Sequence, residues 1–124
     1  MDDLQQILVV DDKIDIQELL CDFLRNTGYV ADACANGKQA LDFVRNKRYN
    51  LVICDLNMPH MDGFEFSSLM KQFAPVPIIF MTGGSRAKRF EERLKELEKE
   101  GHLVLKKPFS PDTLLSNVKQ KIRK

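Results

Sequence analysis

The feature that most constrains this chain is an alternation. Short apolar runs are separated by longer stretches whose apolar residues recur at helical spacing. Ile7-Leu8-Val9-Val10 has no polar interruption, which suits a parallel strand covered on both faces. Ile16, Leu19, Leu20, Phe23 and Leu24 then form a helical stripe that stops at Gly28. A second strand is expected over residues 29–33. Ala40, Leu41 and Val44 mark a second helix after Asn36-Gly37. Residues 51–54 form the third strand, which ends on Asp55. Phe66, Leu69, Met70 and Phe73 line the helix after it. The fourth strand spans 78–81, and a charged helix over 86–100 is closed by Gly101. The fifth strand spans 103–105. Ser110-Pro111 opens the last helix, with Ser as N-cap and Pro at the first helical position.

Five strands alternating with five helices predict an α/β fold, a doubly wound parallel sheet between helical layers. These elements use up residues 1–124 without a repeat or linker, so a single domain is expected. The formal net charge of +1, with 30% charged residues, argues against bulk nucleic-acid binding or a polybasic membrane anchor. No apolar run reaches membrane-spanning length, and the amino terminus has no signal-peptide pattern. Cys21, Cys34 and Cys54 form no CxxC and no metal-ligand cluster, so they read as partly buried thiols. A cytoplasmic chain is predicted.

In such a sheet, ligands bind beyond the carboxyl ends of the strands. Asp11 and Asp12 close the first strand, Asp55 the third and Thr82 the fourth, while Lys107 follows the fifth. Residues distant in sequence are therefore expected on one edge. Three carboxylates there must raise a pKa or recruit a cation. Oxygen ligands at an open, hydrated edge favour Mg²⁺. Lys107 offers a point charge for phosphate, Thr82 a hydroxyl donor, and Gly83-Gly84 leave room. Together these residues suit an aspartyl nucleophile that accepts a phosphoryl group.

The motifs Val9-Val10-Asp11-Asp12, Asp55-Leu56-Asn57-Met58-Pro59-His60-Met61-Asp62-Gly63, Met81-Thr82-Gly83 and Lys107-Pro108-Phe109 resemble those of bacterial response-regulator receiver domains. The resemblance covers essentially the whole chain. It implies a flavodoxin-like fold with strand order 2-1-3-4-5. It implies a phosphorylation-dependent switch of a two-component system, in which Asp55 is phosphorylated with Mg²⁺ by a sensor histidine kinase or a histidine phosphotransfer protein. Asp12 would be the direct metal ligand, Asp11 would act mainly through water, and Asn57 would lend its backbone carbonyl. Thr82 and Lys107 would contact the phosphoryl group, and the Lys107-Pro108 bond would be cis. A downstream output protein or a missing output domain would read the change, and a phospho-dependent homodimer is a further implied state. Val104 stands where receivers often carry a Tyr or Phe, so an inward aromatic swing is not available. Signalling would then rely more on the loop after Thr82 and the charged helix that follows, which is also expected to be part of the partner surface; charge reversals at Arg89 and Arg93 test that expectation.

The main rival is an aspartyl-nucleophile phosphatase of the haloacid dehalogenase kind. It needs an acid two residues after the nucleophile, and Asn57 cannot protonate a leaving group. A degenerate receiver kept as an interaction domain is disfavoured because the five site residues are all present. Among plainer readings, Asp62 is an N-cap and Gly63 a turn residue, and Phe64, Phe66 and Phe73 are core. His60 and His102 are expected at exposed positions, and Glu91 to Lys95 is an i,i+4 pair.

Overall fold

The computed structural model describes residues 4–58, 61–72, 75–84 and 89–122. The expected alternation is present throughout. β1 (Gln6–Val10), α1 (Ile14–Asn26), β2 (Val30–Cys34), α2 (Gly37–Asn46) and β3 (Leu51–Asp55) make the first half. α3 (Gly63–Met70), β4 (Ile78–Thr82), α4 (Phe90–Lys99), β5 (Leu103–Lys106) and α5 (Pro111–Lys121) complete it. All neighbouring strands are parallel, in the order β2-β1-β3-β4-β5.

The unbroken apolar runs are explained by two cores, one on each face of the sheet. Successive strand residues point to opposite faces. Leu8, Val10, Val52, Cys54, Ile78 and Phe80 pack with α2, α3 and α4. Ile7, Val9, Leu51, Ile53, Ile79 and Met81 pack with α1 and α5. Three of the helices start on a side-chain cap. Asn36, Asp62 and Ser110 accept from the backbone N–H of Gln39, Glu65 and Thr113, which caps α2, α3 and α5.

Several expectations are corrected. Leu19 is 64% exposed, although the helical stripe of α1 included it. Leu20, Cys21 and Leu24 form the buried face instead. Leu19 sits at the margin of that face, where it lines a groove with Phe23, Phe109 and Pro111. His102 is not exposed. It is half-buried, its Nδ1 accepts from Ile78 N–H at 3.2 Å, and its ring meets Phe80 edge-on. Glu91 and Lys95 form no ion pair. Phe73, His60 and the first residues expected for the charged helix lie outside the described residues; within them, α4 begins at Phe90.

Candidate functional site

The parallel ladder continues past the strand ends and assembles the polar edge. Asp11 N–H donates to Cys34 O at 3.1 Å, Leu56 N–H to Met81 O at 2.9 Å, and Lys107 N–H to Thr82 O at 2.7 Å. With Val10 of β1 paired opposite Cys54 of β3, these bonds bring the ends of all five strands level. The chain runs outward from β1 in both directions, to β2 and to β3, so a crevice opens at this reversal. Asp11, Asp12, Asp55, Thr82 and Lys107 meet at its rim.

Asp55 is 2% exposed at the end of β3. Its Oδ1 accepts from Asn57 N–H at 3.0 Å, and its Oδ2 lies 3.6 Å from Lys107 Nζ. The Lys107-Pro108 peptide bond is cis, as the resemblance implied. Lys13, which sequence reasoning passed over, places its Nζ 3.7 Å from Asp12 Oδ1. Its position directly after the acidic pair was the available signal.

Asp11 is the rim carboxylate that makes no ion pair among the described residues. It is fully buried, and no described ammonium or guanidinium lies within ion-pair distance of it. Its Oδ1 accepts from Lys13 N–H at 2.9 Å, at the start of α1. Its Oδ2 is buried with no partner. Burial pushes the Asp11 pKa up; the Lys13 N–H opposes this, and the Asp55 charge adds to it. One carboxylate oxygen each from Asp11, Asp12 and Asp55 lies within 4.8 Å of the others. An orphaned anionic oxygen beside two further hard oxygen donors fits a small divalent cation, and Mg²⁺ suits that donor set.

Thr82 is fully buried at the end of β4. Its hydroxyl donates to Asn57 Oδ1 at 3.0 Å and accepts from Gly84 N–H at 2.9 Å. The plain expectation that Thr82 satisfies a strand-end backbone group therefore holds beside its place in the site. Gly84 has φ +92°, a left-handed conformation that favours glycine.

Gly63 is more than a turn residue. A Cβ there would lie 2.8 Å from Leu56 Cδ2, 3.1 Å from Leu56 Cα and 3.2 Å from Asp55 O. The start of α3 is thus pressed against the end of β3, where Asp55 and Leu56 lie. Cys54, next to Asp55, is fully buried, and burial holds its thiol well above the ordinary value. Its thiol is therefore chemically quiet.

Fold and site define a class: a doubly wound α/β domain with a buried aspartate in an acidic, lysine-bearing crevice. The model of the response regulator receiver domain family matches residues 7–119, and the chain belongs to that family. It is 33% identical over 120 residues to the DNA-binding response regulator MtrA of Mycobacterium tuberculosis, covering 97% of this chain and 51% of MtrA. It resembles the structure of the Vibrio cholerae chemotaxis protein CheY4 with a TM-score of 0.81 and 31% identity, over 97% of this chain and 100% of that one. Response regulator TrrA of Thermotoga maritima, solved in complex with Mg²⁺ and BeF, matches with a TM-score of 0.81 and 32% identity, over 96% and 100%. The chain spans about half the length of curated relatives such as MtrA. It is a receiver domain of the two-component response-regulator class. Among the described residues, no helix is long and apolar enough to cross a membrane.

Proposed function

We propose that Asp55 is the phosphoacceptor of this receiver domain and that residues 1–124 work as one such domain. The observation that carries the reading is the position of Asp55. It is nearly buried, with one oxygen tied to Asn57 N–H and the other facing Lys107, beside the unpartnered Asp11 Oδ2.

Asp11, Asp12, Asp55 and the backbone carbonyl of Asn57 would hold Mg²⁺. The ion supplies charge neutralisation between the carboxylates and an incoming phosphoryl group. An Asp55 oxygen attacks phosphorus. The P–N bond of a donor phosphohistidine breaks as the O–P bond forms, and the imidazole leaves with the electron pair. Lys107 carries the one ammonium aimed at Asp55 among the described residues. Thr82 brings a hydroxyl proton to the phosphoryl oxygens. The chain's own chemistry is then limited to phosphotransfer to Asp55 and hydrolysis of the resulting acyl phosphate.

The donor is a sensor histidine kinase or a histidine phosphotransfer protein, and the reader is a downstream output protein or an attached output domain. Phosphorylation alters partner binding or homodimerisation, and the protein acts in the cytoplasm. The comparisons give no support to the phosphatase alternative, and Asn57 stands where such an enzyme needs its acid.

The test is intact-mass measurement after incubation with acetyl phosphate and Mg²⁺. One phosphoryl group should appear on the wild type and none on Asp55→Asn. Incorporation that survives this substitution would refute the assignment. Sedimentation with beryllofluoride and Mg²⁺ then tests the homodimer.

A further inference from the structure

The receiver switch needs a route from Asp55 to the rest of the molecule, and position 104 offers no ring for it. Val104 is a half-buried aliphatic residue packed on the α2-α3-α4 core, with no hydroxyl or aromatic surface to reorient. A different connection is present at the site itself.

The Thr82 hydroxyl has one proton. Gly84 N–H already donates to Thr82 Oγ1 at 2.9 Å, so that proton must go elsewhere. It goes to Asn57 Oδ1, 3.0 Å away. Asn57 is fastened at its other end, where its backbone N–H donates to Asp55 Oδ1 at 3.0 Å. A continuous chain therefore runs from the Asp55 carboxylate through Asn57 and Thr82 to Gly84. Gly84 lies in the connection from β4 toward α4.

We propose that the Asn57 carboxamide is a positioning group that holds the Thr82 hydroxyl in the resting protein. It is the acceptor that a phosphoryl oxygen must replace. The proposal rests on the reading that Asp55 accepts phosphate. Thr82 has a single proton, so it serves either Asn57 or the phosphoryl group. A charged phosphoryl oxygen is the stronger acceptor, which sets the direction of the exchange. The Asn57 bond that is lost subtracts from the gain, so Asn57 sets the threshold for activation. When the Thr82 hydroxyl turns, the Gly84 N–H loses or follows its acceptor, so the backbone at Gly84 registers the event.

The experiment measures beryllofluoride affinity by fluorine NMR at saturating Mg²⁺. It compares wild type with Asn57→Ala, each also in Thr82→Ser and Thr82→Val backgrounds. The Asn57 side chain is exposed, and its backbone carbonyl is kept in the variant. Asn57→Ala should bind about fivefold tighter than wild type, the size of one net hydrogen bond between neutral groups. The same gain should appear with Thr82→Ser and vanish with Thr82→Val. In the free proteins, Asn57→Ala should shift the Gly84 amide resonance when residue 82 is Thr or Ser, and leave it in place in Thr82→Val. This second readout decides the matter even where Thr82→Val binds too weakly to measure. Unchanged or weaker binding by Asn57→Ala would overturn the proposal while leaving Asp55 as phosphoacceptor. So would an equal gain, or an equal Gly84 shift, in all three backgrounds. A wild type that does not bind beryllofluoride would remove the Asp55 assignment and this proposal together.

Discussion

The two ends of the sheet handle polar groups in opposite ways. At the amino-terminal end, partners are neutral and closely matched. Gln6 N–H donates to Asn50 Oδ1 at 2.7 Å, Asn50 N–H to Gln6 O at 2.8 Å, and Ile78 N–H to His102 Nδ1 at 3.2 Å. The orphan at this end, Gln6 Oε1, is an uncharged amide oxygen. At the carboxyl-terminal end, three carboxylates crowd within 4.8 Å, and one buried anionic oxygen has no partner. One end is built to hold the fold together, whereas the other keeps unmet charge in readiness for a ligand. Functional sites commonly trade stability for chemistry in this way.

The largest expected effect breaks the contrast at its mechanical support. Gly63→Ala puts a Cβ against the backbone Cα of Leu56, which cannot rotate away as a side-chain end could. The change should destabilise by about 2 kcal/mol, within the range for overpacking, as read from the urea midpoint. It should also weaken Mg²⁺ binding, because the displaced segment carries Asp55. An unchanged midpoint would mean that α3 can back away from the site freely.

The next effect has the opposite sign. Asp11→Asn keeps an oxygen for Lys13 N–H and removes the uncompensated buried charge. Without Mg²⁺, the variant should be more stable than wild type by about 1–2 kcal/mol, in line with neutralising an unmatched buried charge. Wild type should gain melting temperature when Mg²⁺ is added, and the variant should gain much less. A destabilised Asp11→Asn protein would show that Lys107 and Lys13 already neutralise the site.

The same contrast explains what could be read from sequence. Strands covered on both faces must be apolar throughout, so residues 7–10, 51–54 and 78–81 announced the sheet. The site residues were legible because each sits at or just past a strand end, and parallel register brings such ends together. What stayed hidden depends on side-chain packing across elements. Leu19 and Cys21 flank Leu20 and Leu24 on opposite sides of α1, and periodicity does not say toward which side the buried face extends. The closeness of Gly63 to Leu56, the Asn57–Thr82 bond and the inward turn of His102 are all contacts between separate segments. No local pattern encodes them.

A smaller effect belongs to the amino-terminal end. Burial lowers the His102 pKa, and the charges of Lys121 and Lys71 lower it further; Glu100 is the acid nearby, paired with Lys71. The folded protein therefore keeps this ring neutral at pH values where the unfolded chain takes up a proton. Stability contributed in this way is present above the ordinary value of 6.5 and is lost as pH falls through it. Thermal melts should show that acid-side loss. His102→Gln, which keeps an acceptor for Ile78 N–H, should flatten it. A slope unaffected by the substitution would assign the loss to other groups.

The smallest effect uses Lys71, because this residue pairs with Glu100 and its charge is also felt at His102. Its ion pair with Glu100 is between partly exposed side chains, so breaking it by Lys71→Met should cost less than about 0.5 kcal/mol at neutral pH. The same change removes one of the two ammonium charges that disfavour protonated His102. The His102 pKa should then move back toward its ordinary value, and the acid-side loss of stability should shrink. The sign of the effect on stability therefore depends on pH. Lys71→Met is slightly worse than wild type at neutral pH and closes the gap as the solution is acidified. NMR titration of the His102 ring in both proteins checks the cause directly. Superimposable titrations would mean that solvent already screens Lys71, and that burial alone keeps this end of the sheet neutral.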